Sequence, residues 1–193
     1  MTAGEDRELV ARFQAGDQAA FNQLVRLYQK RVYLVAFRMV RDEEEAKDLT
    51  QEVFIKMFSA LADFRGEAGI FTWAYRATVN LAINHLRRKK IISWVPLLEA
   101  EEKPVEEPEG LTERETGALK KAIAEAVKKL PPKQRAIFIL RHYDELPNEE
   151  IAEIVGKSVG SVKANYFQAL QKLKKHLAAW QSMVTGKVDY ELR

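Results

Sequence analysis

"TWAYRATVNLAINHLRRKK", residues 72–90, is the stretch on which the reading of this chain turns. At about 100° per residue, a helical wheel gathers Phe71, Ala74, Tyr75, Val79, Leu81, Ala82, Ile83 and Leu86 onto one broad apolar side. The remaining arc, roughly 120° wide at the same spacing, carries Trp73, Arg76, Asn80, Asn84, Arg87 and Arg88. The segment is an amphipathic helix whose indole falls with the guanidinium and amide groups. Guanidinium groups pair with phosphates, an amide offers a base edge both donor and acceptor, and an indole stacks on an unpaired base. That mixture suits a strand of DNA pulled out of its duplex. The plainer alternative is a solvated arginine face with Trp73 tucked against a neighbouring helix, and this segment alone leaves both open.

Helical periodicity extends in both directions, with no convincing alternation of apolar and polar residues and only nine glycines. Gly16 followed by Asp17 reads as a helix stop and an N-cap, after which Phe21, Leu24, Val25, Tyr28, Val32, Val35 and Ala36 trace one long helix ending near Val40. Asp42, with Glu45 three residues on, starts another whose stripe is Ala46, Leu49, Val53, Phe54, Met57, Phe58 and Leu61. FRGEAG, residues 64–69, forms a loop before the quoted helix. PLLEAEEKPVEEPEG, residues 96–110, then holds three prolines and a dense series of glutamates; it cannot build a core and reads as an extended linker. Patterning resumes near Thr116, and Pro131-Pro132 opens a helix through Arg135, Ile137, Phe138, Leu140 and Tyr143. The expected fold is all-α, with two small helical domains joined by an acidic tether.

"NEEIAEIVGKSVGSVKANYFQALQKLKK", residues 148–175, fits a helix-turn-helix. Ile151, Ala152 and Val155 form the inner side of a short first helix, Gly156 supplies a left-handed turn, and Ser158 caps the second helix. Val159, Val162, Tyr166, Ala169, Leu170 and Leu173 share the core side of that helix. Ser161, Lys163, Ala164, Asn165, Phe167, Gln168 and Lys172 face outward, the chemistry a recognition helix presents to a major groove. A plain helical hairpin with a lysine-rich face is the alternative. Opposite the apolar stripe of the helix that follows Asp42, Asp48, Gln51, Glu52 and Ile55 fall at i, i+3, i+4 and i+7. An isoleucine among carboxylates invites an arginine-bearing protein partner, although an acidic face is more often simply solvated.

Composition excludes several function classes. The chain has 193 residues, a net charge of only +3 and no cysteine, so any attraction to nucleic acid depends on where the charges lie. Disulfides and thiolate metal sites are ruled out, and the three histidines are too scattered for a metal cluster. No metal, no cofactor and no small-molecule substrate are expected. The first twenty residues lack the apolar core of a signal peptide, and nowhere do eighteen apolar residues run together, so a cytoplasmic protein is expected. Asp48 and Glu52 are the only close acidic pair on one exposed helical face of the first domain, with no histidine or phosphate-binding glycine loop beside them, so no catalytic residues are expected.

Taken in order, DLTQEVFIKMF, FRGEAGIFTWAYRATVN and LPPKQRAIFILRHYDELPNEEIAEIVGKSVGSVKANYFQAL resemble the extracytoplasmic-function sigma factors of bacterial RNA polymerase, from about residue 8 to 178. The resemblance implies sigma region 2 over residues 1–95, a linker over 96–115, region 4 over 116–178 and a tail of unassigned role over 179–193. It implies that Phe64, Arg65, Gly66, Glu67 and Ala68, with Asn80, form a pocket for a flipped base of the single-stranded minus-ten element. Trp73 and Arg76 would lie along the strand, and Asn84, Arg87 and Arg88 would extend the track toward duplex. Asp48, Gln51, Glu52 and Ile55 match the surface that docks on the clamp helices of the polymerase beta-prime subunit. Region 4 would meet the beta flap and read duplex minus-thirty-five DNA through Arg141, Gly160, Ser161, Lys163, Ala164, Asn165, Phe167, Gln168 and Lys172. Relatives commonly carry arginines where Ala164, Asn165 and Gln168 stand, so phosphate attraction through this helix is expected to be weaker. The tether of about twenty residues at about 3.3 Å each reaches ~65 Å, near two turns of B-DNA. An anti-sigma factor is the implied inhibitor. The rival reading is a stand-alone helix-turn-helix regulator, which would bind a palindromic duplex tightly without polymerase.

Overall fold

The computed structural model describes residues 3–66, 68–92 and 117–191, with side-chain surroundings for 5–66, 68–90 and 121–178. The expected linker and Glu67 lie outside the described residues. Within them the chain is entirely helical: α1 (Ala3–Gln14), α2 (Gln18–Val40), α3 (Glu43–Leu61), α4 (Ile70–Ile92), α5 (Gly117–Lys128), α6 (Pro132–His142), α7 (Asn148–Val155) and α8 (Val159–Glu191). The expected punctuation is in place. Gly16 has φ +98°, Asp17 accepts from the Ala19 amide at 2.9 Å, and Asp42 accepts from the Glu45 amide at 2.9 Å. Gly156 takes the left-handed conformation at φ +62°, and Ser158 accepts from the Ser161 amide at 3.2 Å.

Three features depart from the periodicity. α1 is an additional helix, seated by Leu9 and Val10 in the core and by the half-buried Phe13. α8 does not stop at residue 178 but runs on to Glu191, through most of the expected tail. Phe58 and Leu170, each assigned to a core stripe, are 45% and 41% exposed. Both lie at the edge of their stripe. Phe58 meets Phe13 and Phe21 edge-on at the rim of the bundle, with ring centroids 5.2 and 5.0 Å away.

α1 to α4 enclose one core built on Leu24, Tyr28, Val32, Val53, Met57 and Leu61. α5, α6 and α8 enclose a smaller one around Val127, Leu130, Phe138 and Leu173. A third cluster joins the two halves: Phe37 and Met39 of α2 and Tyr75, Val79 and Ile83 of α4 share it with Ile137 and Ile139 of α6, Ile151 and Ile154 of α7, and Val162 of α8. The reason lies in two short runs. Val35 to Val40 are buried without a break, as are Gln134 to Leu140. A helix covered on every side must have neighbours on every side, and the end of α2 and all of α6 supply part of that cover to each other. Full burial of each large apolar side chain contributes about 2 kcal/mol.

Polar groups fix the register of this junction. The Arg135 guanidinium, 5% exposed, donates to the Met39 carbonyl of α2 at 2.5 Å and to the Lys128 and Leu130 carbonyls that end α5. Burial lowers its pKa to about 10, so it remains a cation. Arg38 of α2 pairs with Asp144 at 3.4 Å and lies 4.4 Å over the Tyr143 ring. Burial pushes Asp144 up to about 6 despite Arg38 and Arg31 of α2, which pull it down; Tyr75 of α4 also faces it, and burial first, then the Asp144 charge, raises that phenol.

Two outcomes follow from this junction. Arg135→Ala, which strips three carbonyls of their donor, is expected to lower unfolding free energy by about 3 kcal/mol in urea denaturation. Because the docked Asp144 holds its proton more tightly than the free carboxyl, ordinarily 3.8, docking gains stability as pH falls from about 6 and loses it as pH rises toward 6. Urea titrations at about pH 4.5, 5.5 and 7 are expected to show that slope in the wild-type chain and to lack this component in Asp144→Asn.

Candidate nucleic-acid interface

The loop after α3 is shaped by few restraints. The Phe64 amide donates to the Leu61 carbonyl at 3.3 Å, Gly66 turns the chain at φ +74°, and the Gly69 carbonyl accepts from the Trp73 amide as α4 begins. A side chain at residue 66 would be strained in that left-handed conformation. Gln14 of α1 reaches across and donates to both the Leu61 and Phe64 carbonyls at 3.0 Å. Beneath the loop lies a cleft of about 740 Å³. Tyr28, Phe64 and Phe71 give it aromatic walls, while the exposed Arg7, Arg31 and Arg65 stand at its edges. The Tyr28 hydroxyl donates to the Asp6 carboxylate at 2.5 Å, and burial first, then that carboxylate, hold the phenol far above its ordinary pKa. An apolar slot edged by guanidinium groups accommodates a flat heterocycle with its phosphates outward.

The expected strand-binding residues divide into three groups. Phe64, Arg65, Gly66 and Ala68 line the cleft. Asn80 is exposed but does not: ten residues beyond Ile70, it sits about 15 Å along the α4 axis at a rise of ~1.5 Å per residue, out of reach of the loop. The α4 contribution comes instead from Phe71 and Thr72. Asn84, Arg87 and Arg88 are exposed on the same helix. Trp73 is only half-buried, its indole packed on the α1–α4 core, so it sits at the seam between the apolar and polar arcs and not on the fully exposed face. Arg76 is exposed, and its guanidinium donates to the Glu153 carbonyl of α7 at 2.7 Å.

On α3, Asp48, Gln51 and Glu52 are exposed and Ile55 is 68% exposed, so all four share one open face; Glu52 pairs with Lys56 at 3.4 Å. On α8, Gly160, Lys163, Ala164, Gln168 and Lys172 are exposed and Phe167 is 61% exposed. Four of the expected duplex contacts are engaged internally. The Asn165 amide donates to the Ser161 carbonyl at 2.8 Å, while the buried Gln134 of α6 donates to Gln168 at 2.8 Å and accepts from Lys172 at 2.9 Å. Arg141 donates to the Leu146 carbonyl at 2.8 Å and braces the turn before α7. Lys163, Ala164 and Phe167 are left without such ties among the hydrogen bonds and ion pairs described, so the outward chemistry is apolar as much as basic. Asp6, Arg7, Gln14, Tyr28 and Arg31 were not identified from the sequence. The signal was Leu9, Val10 and Phe13 at helical spacing amid mixed charge, enough to place a helix but not the cleft it walls.

Among the described residues no group of histidine and acidic side chains could hold a metal ion, and no helix is long and apolar enough to cross a membrane.

Two family descriptions match the chain: Sigma-70 region 2 over residues 24–91 and Sigma-70 region 4 over residues 120–173. Over 187 residues it is 35% identical to the RNA polymerase sigma-H factor of Pseudomonas aeruginosa, covering 92% of this chain and 96% of that one. It is 38% identical over 178 residues to the ECF RNA polymerase sigma-E factor of Escherichia coli K12, covering 87% and 92%. In fold it is similar to CnrH in its complex with the cytosolic domain of CnrY, with a TM-score of 0.67 at 23% identity, covering 91% of this chain and 98% of that one. It is also similar to RpoE in its complex with the anti-sigma factor NepR from Bartonella quintana, with a TM-score of 0.66 at 19% identity, covering 82% and 96%. The chain belongs to the extracytoplasmic-function branch of the sigma-70 family, the subunits that bring RNA polymerase to its promoters.

Proposed function

We propose that this sigma factor divides promoter recognition among three surfaces. Core polymerase is gripped through Asp48, Gln51, Glu52 and Ile55, whose carboxylates complement arginines on the beta-prime clamp helices. The opened non-template strand enters the cleft under residues 64–69 and continues along Arg76, Asn80, Asn84, Arg87 and Arg88. Upstream duplex is read by the first turns of α8, through Lys163, Ala164 and Phe167 in particular. The observation that carries this reading is the cleft, which joins aromatic walls to exposed guanidinium groups directly under the loop. A stand-alone duplex-binding regulator needs no such slot, and the pairing of region 2 with region 4 in one chain disfavours it. A solved relative of the same fold was captured with an anti-sigma factor, and we extend that partner class to this chain.

The surfaces are separable by mutation. Glu52→Arg is expected to weaken binding to core polymerase at least tenfold, about 1.4 kcal/mol or more, read by co-elution. Asn80→Ala, which disturbs no core, and Trp73→Ala are expected to keep polymerase binding and lower open-complex yield roughly tenfold, since a stacked or phosphate-tracking contact contributes about 1–3 kcal/mol. Permanganate reactivity of the melted strand reports this step, and normal opening by Asn80→Ala would remove that residue from the track. Gln14→Ala, which frees the loop from α1, is expected to lower opening several-fold, about 1 kcal/mol, with assembly intact.

A further inference from the structure

The helix assigned to upstream duplex is tied to α6 through side-chain amides. Gln134, on the first turn of α6, is 7% exposed, and both polar atoms of its side chain are engaged. Its Oε1 accepts from the Lys172 ammonium at 2.9 Å, and its Nε2 donates to Gln168 Oε1 at 2.8 Å. Gln168 and Lys172 stand at i and i+4 on α8, hence on one face, and both are exposed. The direction of this relay is imposed by its lysine end. An ammonium group has donors and no acceptor, so the Gln134 atom that meets it must be the oxygen. The Gln134 atom that meets Gln168 is then the NH2 group, and the Gln168 atom that receives it must be an oxygen. Turning the Gln134 amide round would set donor against donor and oxygen against oxygen at a buried site, which is costly. Gln168 is therefore left with its NH2 group to offer, and that group makes no hydrogen bond among those described.

We propose that Lys172 and Gln134 fix the base preference of Gln168: with its oxygen held, Gln168 reads the upstream duplex as a donor only and selects guanine. The inference rests on the proposed reading of that duplex by α8 and adds its specificity at one position. An unrestrained glutamine presents donor and acceptor together and matches adenine, whose N7 accepts while its N6 amino group donates. A glutamine with an occupied oxygen cannot complete that pair, and the adenine amino hydrogens oppose its own. Guanine presents two acceptors side by side, N7 and O6, and suits an NH2 group. Gln134 is buried and reaches no base; it is a positioning residue that acts from beneath the helix.

One substitution reverses the relay. Gln134→Glu sets a carboxylate between Lys172 and Gln168; it accepts from both, so Gln168 turns its NH2 group inward and its oxygen outward, toward the N6 amino group of adenine. Holoenzyme assembled from core polymerase and the full chain selects fragments from a pool of random duplex DNA, and the bound fraction is sequenced. The upstream position whose preference disappears in Gln168→Ala is the one this residue reads. There, wild type is expected to favour guanine over adenine on the same strand at least about fivefold. Gln134→Glu is expected to invert that ratio in favour of adenine. Lys172→Met, which lets the Gln134 amide turn either way, is expected to bring the two bases within about twofold of each other. Preferences set by Lys163, Ala164 and Phe167 at neighbouring positions are expected to persist in both variants, which a general loosening of region 4 would not allow. Should Gln134→Glu lose its helical circular dichroism, Lys172→Met, a change at an exposed site, carries the test. The inference is overturned if Gln168→Ala flattens no position, as it would if Gln168 met only phosphate, if the flattened position holds adenine in wild type, or if the folded relay variants keep the wild-type ratio. A wild-type holoenzyme that selects no upstream motif at all overturns the proposed reading by α8 as well, and so is told apart from those results.

Discussion

The structure depends on two helical runs that cannot face water. Residues 35–40 of α2 and 134–140 of α6 are buried around their full circumference, and each run finds part of its cover in the other. An ordinary amphipathic helix needs one neighbour; a helix buried all round needs several. The consequence is a junction between the two halves with the character of a core. Once that junction forms, the positions of α4, α7 and the start of α8 relative to one another are fixed by packing and not by the tether.

Charged groups inside the junction set its specificity. Arg135 satisfies carbonyls from both halves, and Arg38 combines an ion pair with a cation over Tyr143. Burying such groups is costly unless each finds partners, so they contribute little to net stability and a great deal to which arrangement is tolerated. Any slide of α6 along α2 would leave a guanidinium unpaired in a dry environment. The raised pKa of Asp144 is the visible residue of that cost.

The same packing shapes the functional surfaces. The α3 face with Ile55 projects away from the shared core and is open, while the cleft beneath the 64–69 loop has Glu150 of α7 in its lining. One surface is therefore available for a first contact while another is partly occupied by the chain itself. Trp73 belongs to this economy: its indole is half committed to the α1–α4 core, which orients the ring, and half left to the solvent side.

Local chemistry determined much of this protein without any knowledge of the fold. The caps at Asp17 and Asp42, the left-handed Gly156 and the apolar arcs of α2, α3 and α4 depend on residues within a few positions of one another, so they can be read along the chain. The open α3 face was legible for the same reason, since i, i+3, i+4 spacing decides what shares a side. Only the tertiary structure decided that α1 walls the cleft, that Asn80 lies beyond its reach, that Gln134 ties up Gln168 and Lys172, and that α7 sits on Arg76. Those facts arise from helices distant in sequence meeting in space, and a wheel drawn for one helix carries no term for its neighbours. The apolar content at the end of α2, broken only by Arg38, marked where such neighbours were needed, but not which they would be.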